Sequence, residues 1–369
     1  MRLEQKLILA CGSRIVIMKA EMSLTEQATD VVLADHTTLR VGGPARRLVT
    51  VETEADLVEA VRDLDATGQP LLVLGGGSNL LISDAGFDGT VVKIATRGLD
   101  QDTAACSGAV ITVAAGEPWD PVVRQTIEQG WSGLEAMSGI PGLVGATPIQ
   151  NVGAYGADVS ELISTVRTLD RSTGQLKTFF PIECGFRYRT SRFKSDPGRF
   201  VVLSVTFQLR LGSLSQPIRY AELARVLGVA VGERAPAADV RQAVLELRNA
   251  KGMVLMADDH DTWSVGSFFT NPIVSRATAR ALPAGAPRFS QPDDMVKTSA
   301  AWLIEQAGFA KGYGHGAARL SEKHTLALTN RGGATAGDLL ILAREIRSGV
   351  KARFGIELVP EPVLVGCEL

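Results

Sequence analysis

The stretch LLVLGGGSN, at residues 71–79, decides the fold prediction. Its first four residues are branched and apolar, which is typical of a buried β-strand. The three consecutive glycines at 75–77 allow positive φ and let the backbone approach a ligand closely. Such a turn presents several N–H groups on one side and makes a nest for an anion such as a phosphate. The stretch therefore predicts a strand that leads into a nucleotide- or dinucleotide-binding loop.

Two common phosphate loops do not fit this stretch. Leu80 stands where the GxGxxG pattern has its last glycine, and no lysine follows at the Walker A position. Taken alone, residues 75–79 are as consistent with a tight turn as with a phosphate site. A second glycine-rich segment, SGIPGLVGATPIQNVGAYG at residues 138–156, favours the phosphate site. This segment is nearly charge-free and poor in side chains, so it is predicted to be backbone folded around a ligand rather than core.

The composition indicates an ordinary globular protein. A length of 369 residues predicts two or three domains, and 45% of the residues are hydrophobic and 21% charged. The net charge of −2 argues against a nucleic-acid or membrane-surface binder, so the expected partners are small molecules. No apolar run reaches the ~18 residues of a membrane span. We expect a cytoplasmic monomer with no membrane or nucleic-acid partner.

The cysteines and histidines predict neither a disulfide framework nor a metal site. The cysteines are far apart and form no CxxC pair, and no two histidines stand at ligand spacing. Such cysteines fit a reducing compartment. The acidic residues 258–261 could attract a cation, but an exposed loop is the favoured interpretation. The cysteines are Cys11, Cys106, Cys184 and Cys367; the histidines are His36, His260, His315 and His324.

Periodicity predicts three regions with a mixed order of helices and strands, after an extension at residues 1–30 that is either disordered or precedes a start at Met18 or Met22. The first region has a helix from Thr53 to Gly68 and strands at 48–51, 71–74 and 89–94. The second has a helix at 120–130 and strands at 110–114, 163–170, 175–180 and 200–210. The third follows a helix at 239–250 and has helices at 299–307 and 335–354, a strand at 325–329 and a strand-like tail at 356–365. This order predicts α+β layers rather than an alternating α/β arrangement.

Three polar residues each allow two interpretations. Arg189 lies in an aromatic and basic stretch that is either a solvated strand or a clamp for a carboxylate. Ser267 is not in a GxSxG elbow, so a turn or helix-cap role is favoured when it is considered alone. Glu361, between two prolines, is either a surface strand end or a rigidly held carboxylate.

Together, the segments resemble one family closely: the flavoenzyme UDP-N-acetylenolpyruvoylglucosamine reductases of peptidoglycan synthesis. Single motifs are weak, but their joint order is highly specific, and the resemblance runs from about His36 to Leu369. In chain order the motifs are LRVGGPA, GGGSNLL, SGIPGLVGA, QNVGAYG, FRYRTSRFK, GSFFTNP, AAWLIEQAG and PEP.

This resemblance implies an α+β architecture. It combines a vanillyl-alcohol-oxidase-like (PCMH-type) FAD-binding fold of two domains with a C-terminal α+β substrate domain. The implied boundaries are 31–96 with 356–369 for the first FAD-binding domain, 97–250 for the second and 251–355 for the substrate domain.

The resemblance also implies FAD as cofactor, with the loop at 75–79 around its pyrophosphate and two further segments around the rest. No histidine or cysteine adjoins the loop, so the FAD is expected to be noncovalent. The implied cofactor-binding residues are Gly75, Gly76, Gly77, Ser78, Asn79, Leu80, Ser138, Gly139, Pro141, Gly142, Gly145, Asn151, Gly153, Ala154 and Tyr155.

The implied activity is that of a UDP-N-acetylmuramate dehydrogenase, which serves cell-wall biogenesis, cell shape and division. NADPH reduces FAD, NADP⁺ leaves, and UDP-N-acetylglucosamine enolpyruvate takes the same site. Flavin N5 then gives hydride to the methylene carbon, Arg189 and Glu361 stabilise the enolate, and Ser267 protonates the adjacent carbon. The implied substrate contacts are Tyr188, Tyr220, Lys251 and Asn271. Phe289 and the Ser321 to His324 stretch depart from the family pattern and affect only the detailed nucleotide contacts.

Two alternatives stay open. One is another flavin oxidoreductase of the same fold, such as an alcohol or sugar oxidase, although GSFFTNP and PEP argue against it. The other is a nucleotide-binding protein without enzymatic activity.

Overall fold

A computed structural model describes residues 26–104 and 108–369 of the chain. The expected start at Met18 or Met22, most of the predicted extension, Cys11 and Cys106 lie outside the described residues. The first region contains β1 (Glu26–Val32), β2 (Pro44–Val51), α1 (Glu54–Thr67), β3 (Leu71–Leu74), β4 (Leu80–Ile82) and β5 (Phe87–Ile94). Four of its strands form a sheet in the order β1-β2-β5-β3, in which β1 is antiparallel and the others are parallel.

The predicted strand–helix–strand unit is confirmed. Thr53 caps α1 by accepting a hydrogen bond from the Asp56 N–H (3.1 Å), and Gly68 ends the helix with φ of 66°. The glycine loop then follows β3 at the carboxyl end of the parallel strands, where ligands bind in many such sheets.

The first strand of this sheet begins inside the segment 1–30 that was predicted to be an extension. Residues 26–30 are not a disordered segment, because they belong to β1, whose register pairs Glu26 with Thr50. Pairing with β2, which the local sequence does not reveal, accounts for this difference.

The second region is built on an antiparallel sheet in the order β12-β11-β13-β7-β6, with β8 paired to β13. Its strands are β6 (Leu99–Ala104), β7 (Gly108–Ala114), β8 (Trp131–Ser132), β9 (Gly153–Ala154), β10 (Ala157–Asp158), β11 (Ile163–Asp170), β12 (Gln175–Phe179) and β13 (Phe200–Leu211). Its helices are α2 (Trp119–Glu128), α3 (Thr147–Gln150), α4 (Pro181–Cys184), α5 (Arg192–Ser195), α6 (Ala221–Leu227) and α7 (Ala237–Ala250). The predicted strands at 163–170, 175–180 and 200–210 are confirmed to within one residue.

The segment 138–156 differs in part from its prediction. It makes tight turns, α3 and the small β9–β10 hairpin, but several of its side chains are core: Ser138 and Val144 are fully buried, and Thr147 is 2% exposed. Small side chains can fill a core where two backbones pack closely, so a scarcity of large residues did not exclude burial.

The third region carries two small sheets and the longest helix. Its strands are β14 (Ile273–Ser275), β15 (Phe289–Ser290), β16 (Met295–Lys297), β17 (Gly314–His315), β18 (Ala318–Leu320), β19 (Leu328–Asn330) and β20 (Val363–Val365). Its helices are α8 (Arg276–Ala281), α9 (Ala300–Gln306) and α10 (Ala336–Phe354). The strand predicted at 325–329 is shorter and begins at Leu328.

The predicted strand-like tail at 356–365 is a strand only in β20. Pro360 and Pro362 lack backbone N–H groups and cannot donate to a ladder, so the continuous strand starts after them, and before it the tail forms an isolated bridge between Pro360 and Phe269. There β20 runs parallel to β4, with Val363 opposite Leu80, and so returns to the first region. Leu80, expected as a cofactor contact, thus begins a strand.

The first and third regions share one hydrophobic core. Leu39, Val41 and Leu81 pack in the same buried cluster as α9 and α10. The domain boundaries given above stay a prediction. Across residues 26–104 and 108–369, no helix is both long and apolar enough to cross a membrane.

Candidate active site

The glycine loop offers unpaired backbone donors. Within the described part of the chain, the N–H groups of Gly76, Gly77, Ser78 and Asn79 make no hydrogen bond. The Gly77 carbonyl instead accepts from the Thr38 N–H (3.1 Å), which fixes the loop from behind. Free N–H groups in a glycine turn suit the phosphates of a dinucleotide, so this loop fits the pyrophosphate of FAD.

A second backbone wall faces this loop. A Cβ on Gly76 would lie 2.9 Å from the Gly142 Cα, and one on Gly142 would lie 2.6 Å from Ser78 Oγ. The two glycine-rich segments predicted to hold FAD therefore approach each other closely at Gly76 and Gly142. The second segment also contains the predicted cofactor residues Pro141 and Gly145. Only glycine permits this approach, since any side chain would separate the two walls.

Asp120 holds the start of the second wall. Its Oδ1 accepts a hydrogen bond from the Gly139 N–H (2.6 Å), and Arg241 donates to both of its oxygens (2.7 and 2.8 Å). Burial raises the pKa of Asp120, but the hydrogen bonds from Arg241 and Gly139 outweigh burial and hold that pKa below its usual value. The ionised carboxylate is thus a stable anchor for the segment.

Arg248 is a cation on this wall that sequence reasoning missed. A Cβ on Gly139 would lie 3.4 Å from the Arg248 Nε, which is buried and has no hydrogen-bond partner among the described residues. Burial lowers the pKa of Arg248 to about 10, so it stays charged at neutral pH. Among residues 26–104 and 108–369, the Arg248 guanidinium donates to the Met253 carbonyl alone (2.7 Å). Nothing in its local sequence marks Arg248, because its neighbour Gly139 is distant along the chain.

The turn at residues 151–155 contains two non-glycine residues in the left-handed region of backbone conformation. Asn151 and Tyr155 have positive φ, of 44° and 49°, and Asn151 Nδ2 donates to the Arg187 carbonyl (3.0 Å). Gly153 is packed against Asp158, and Ala154 pairs with Ala157 in the hairpin. Positive φ is costly for residues with a Cβ, so the surrounding contacts must impose it.

Two predicted substrate contacts lie beside Tyr155. The rings of Tyr155 and Tyr220 meet edge to face with centroids 5.4 Å apart, and the Lys251 ammonium lies 5.9 Å from the Tyr155 ring centroid. Burial raises the pKa of Tyr155 to about 12, which keeps its hydroxyl protonated. Lys251 is paired with Glu222 (2.6 Å), so binding a phosphate would require it to change partner.

Arg189 and Glu361, distant in sequence, are in contact. Arg189 Nε lies 3.1 Å from Glu361 Oε1, and its terminal nitrogens donate to the carbonyls of Asn151 (3.3 Å) and Gly153 (2.5 Å). Arg189 also lies 3.7 Å from Asp158, whose pKa is raised by burial against the opposing charge of Arg189. Both side chains of the ion pair are mostly buried, with 21% and 15% of their surfaces exposed.

Ser267 directly precedes Phe268, whose backbone is hydrogen-bonded to that of Glu361. The Glu361 N–H donates to the Phe268 carbonyl (2.8 Å), and Phe269 forms a β-bridge with Pro360. Phe268 and Phe269 are fully buried and anchor this bridge. Ser267 itself is partly exposed, caps no helix, and has no hydrogen bond from its hydroxyl within residues 26–104 and 108–369. The helix-cap interpretation of Ser267 is therefore wrong.

Gln150 and Lys194 complete this cluster and were not predicted. Gln150 Nε2 donates to Glu361 Oε1 (3.0 Å), and Lys194 donates to Gln150 Oε1 (2.7 Å) and to the Glu361 carbonyl (3.0 Å). Both residues lie inside quoted motifs, QNVGAYG and FRYRTSRFK, which were the only signal for them.

Tyr188 and Asn271 form a second polar pair close to Arg189. Burial raises the pKa of Tyr188 against its hydrogen bonds to Asn271, and the Lys297 ammonium lies 4.7 Å from the Tyr188 ring centroid. Asn271 Oδ1 accepts from the Ala300 N–H (2.9 Å) at the start of α9. The structure therefore gives Asn271 a helix-capping contact beside its predicted substrate role.

Two family models match the chain over the regions that build this site. Residues 45–179 match the model described as FAD binding domain, and residues 258–365 match UDP-N-acetylenolpyruvoylglucosamine reductase, C-terminal domain. A UDP-N-acetylenolpyruvoylglucosamine reductase from Cutibacterium acnes is 58% identical over 343 residues, which are 92% of this chain and 90% of that protein. The chain belongs to the UDP-N-acetylenolpyruvoylglucosamine reductase family.

Other relatives support the same assignment. The reductase of that name from Streptomyces avermitilis is 54% identical over 355 residues, which cover 93% of this chain and 96% of the relative. The crystal structure of the reductase from Thermus caldophilus superposes with a TM-score of 0.62 at 28% identity, over 92% of this chain and 98% of that one. The predicted family, the FAD-binding fold with a C-terminal α+β domain, and the enzyme class of oxidoreductase are confirmed. FAD is the cofactor that the domain match supports.

Proposed function

We propose that this reductase uses NADPH to convert UDP-N-acetylglucosamine enolpyruvate into UDP-N-acetylmuramate for peptidoglycan synthesis. One observation carries the proposal: Glu361 contacts Arg189 through its carboxylate, bonds through its N–H to Phe268 next to Ser267, and accepts at its carbonyl from Asn79 of the glycine loop. Such a cluster offers a cation, a hydroxyl and a carboxylate to one small substrate group.

The residues that would hold FAD are the free N–H groups of the 75–79 loop and the backbone of 138–145 and 151–155. When bound, FAD supplies the hydride chemistry, taking a hydride from NADPH and passing it to the methylene carbon of the enolpyruvyl group. We expect it to be held without a covalent bond.

Arg189 would bind the substrate carboxylate and stabilise the negative charge that develops on it. A preorganised guanidinium in a mostly buried site stabilises such charge more strongly than water does. The contacts of Arg189 with Asn151, Gly153 and Glu361 fix its orientation before substrate arrives. Glu361 would hydrogen-bond the enol form.

Ser267 would donate the proton from Oγ to the carbon next to the carboxylate. A serine hydroxyl is a weak acid, so it needs fixed placement and a receiving carbanion. The buried Phe268 and Phe269 supply that placement, and the Ser267 hydroxyl is not occupied by another described residue.

Lys251 and Tyr220 would contact the substrate diphosphate, with Tyr188 and Asn271 nearer the enolpyruvyl end. Burial, with Lys251 and Lys311, lowers the pKa of His324 to about 4, so this ring stays neutral at pH 7 and can only hydrogen-bond. The positive charge for the diphosphate would therefore come from Lys251.

The test is anaerobic mixing followed by the flavin absorbance. The purified enzyme is expected to bleach with NADPH and to recover its colour when UDP-N-acetylglucosamine enolpyruvate is added. UDP-N-acetylglucosamine, which lacks the enolpyruvyl group, is the control and should leave the flavin reduced. Failure to recover with the enolpyruvyl sugar, together with turnover of an alcohol and oxygen, would instead establish the oxidase alternative.

A further inference from the structure

Lys194 is a partly buried cation that the proposed reaction does not use. It lies on the short helix α5, and its ammonium reaches two partners, Gln150 Oε1 and the Glu361 carbonyl (2.7 and 3.0 Å). Burial lowers the pKa of Lys194 against the attraction of Glu361. Even partial burial of an ammonium is costly, and the hydrogen bonds that Lys194 makes offset this cost.

The bond from Lys194 determines which way the Gln150 amide faces. An ammonium can only donate, so the atom of Gln150 that meets Lys194 must be the carbonyl oxygen. The amide nitrogen then faces Glu361 and donates to Oε1 at 3.0 Å. In the reverse orientation two oxygens, one from Gln150 and one from Glu361, would face each other.

Lys194 also holds the main chain of Glu361. Its second hydrogen bond goes to the carbonyl of Glu361, between Pro360 and Pro362, and Asn79 Nδ2 reaches the same carbonyl (3.4 Å). One ammonium therefore constrains both the backbone and, through Gln150, the carboxylate of Glu361. Oε1 is occupied by Gln150 and Arg189, and no described residue hydrogen-bonds to Oε2.

We propose that Lys194 is a positioning residue that, through Gln150, fixes Glu361 with Oε1 engaged and Oε2 available to the substrate. This inference rests on the proposed function, because the role of Glu361 is defined there. A misplacement of about 1 Å in a reacting group can cost on the order of 100-fold in rate. The loss should therefore appear in the step that uses Glu361 and not in binding.

The experiment compares Lys194→Met, Lys194→Arg and Arg192→Met in the two half-reactions. Arg192 is the matched control, since it lies on the same helix, carries the same charge and is exposed. We expect Lys194→Met to slow reoxidation by the enolpyruvyl sugar on the order of 100-fold. FAD content, reduction by NADPH and KM for the sugar should change little, and Lys194→Arg should restore most of the rate.

A double variant separates positioning from a structural role. If Lys194 acts through Glu361, then Lys194→Met combined with Glu361→Gln should be no slower than Glu361→Gln alone. Multiplying effects would overturn the inference, as would reoxidation of Lys194→Met at the rate of Arg192→Met.

Gln150→Leu tests the same link and is informative even if Lys194→Met does not fold. Gln150→Leu keeps the volume but removes the link, and it should show the same slow reoxidation with unchanged NADPH reduction. Normal reoxidation of Gln150→Leu overturns the inference. If the wild-type enzyme is not reoxidised by the enolpyruvyl sugar, the proposed function fails. If the wild type is reoxidised and the variants are reoxidised at the same rate, only the positioning role fails.

Discussion

Three non-glycine residues around the site, Asn151, Tyr155 and Arg189, have positive φ. Each such residue costs on the order of 1–3 kcal/mol, and the cost persists only where the surroundings impose it. For Arg189 the surroundings are its own hydrogen bonds to Asn151 and Gly153 and its contact with Glu361. The strained backbone and the fixed guanidinium are therefore two aspects of one arrangement.

Ser267→Ala tests the proton donor at the residue scale. FAD reduction by NADPH should be unchanged, because the hydroxyl takes no part in it. Reoxidation by the enolpyruvyl sugar should slow by about 10²- to 10⁴-fold, the usual contribution of a general acid. Stopped-flow absorbance measures both steps.

The control for this variant is Ser290→Ala, an exposed serine of the same region. It should behave as the wild type in both steps. Reoxidation of Ser267→Ala at a near-normal rate would remove Ser267 from the mechanism.

Asp170→Asn tests an ion pair between a buried aspartate and the exposed Arg199 that stabilises the second sheet. The carboxylate accepts from Arg199 (2.9 and 3.1 Å) and from Ser172, and these bonds lower the pKa of Asp170 to about 2. Because the folded pKa lies below the unfolded one, near 4, Asp170 stabilises the fold above about pH 4, and this contribution is lost between pH 4 and pH 2. The variant should melt about 2–4 °C lower at pH 7, with a difference that shrinks over that interval.

Thermal melts from pH 7 to pH 2 measure this difference. Asp100→Asn, on the exposed strand β6, is the control and should follow the wild type. A difference that stays constant down to pH 2 would contradict the role of the ionised carboxylate.

The residues of the site were predictable only as members of a pattern. Considered singly, Arg189, Ser267 and Glu361 each had a structural interpretation that was equal or better. Their order with the other motifs identified the family, and the resemblance then assigned these residues their predicted roles. Gln150 and Lys194 escaped because their contacts with Glu361 join positions 211 and 167 residues apart, a relation that no local spacing encodes.

At the scale of elements, local signals predicted regular structure well where they were strong. Helix α1 has a capping threonine and a terminal glycine, and both are used as expected. Strand β1 and the limits of β20 were missed because they depend on pairing with β2 and β4. Strand pairing over long distances follows from tertiary packing rather than from propensity.

Gly76→Val tests the close approach of the two glycine walls. The added Cβ would lie 2.9 Å from the Gly142 Cα, so the walls must separate or the loop must move. Either change displaces the free N–H groups, and the purified variant should contain little FAD. The ratio of flavin absorbance to protein absorbance measures the loss.

Gly285→Ala is the matched control, because a Cβ there meets no atom within 4 Å and the backbone φ is not positive. It should retain FAD. Full FAD occupancy in Gly76→Val would refute the role of the loop.

At the scale of the whole molecule, the first and third regions are bonded as well as packed. The Asp84 carboxylate accepts from the N–H groups of Ala336 (2.8 Å) and Gly337 (2.9 Å) in the first turn of α10. Asn330 Nδ2 donates to the carbonyls of Leu39 and Arg40 (3.2 and 3.1 Å). With the shared core, these bonds predict that the two regions unfold together.

Asp84→Ala tests this coupling. Removing the acceptor leaves two N–H groups of α10 unpaired and should lower the melting temperature by about 2–4 °C. Calorimetry should still show one transition for the two regions. Asp88→Ala, at an exposed aspartate of the same region that forms an ion pair with Arg46, should change little. A split into two transitions in Asp84→Ala would contradict the shared core.

The pairing of β4 with β20 affects the order of assembly. Asn79, at the end of the glycine loop, contacts a carbonyl 282 residues later, and β4 has no other strand partner among the described residues. During synthesis the loop emerges long before the strand that completes it, and closing so long a separation is slow. The cofactor loop is therefore finished only when Glu361 arrives with β20. A nascent chain with a completed loop therefore already carries the carboxylate that we propose acts on the substrate.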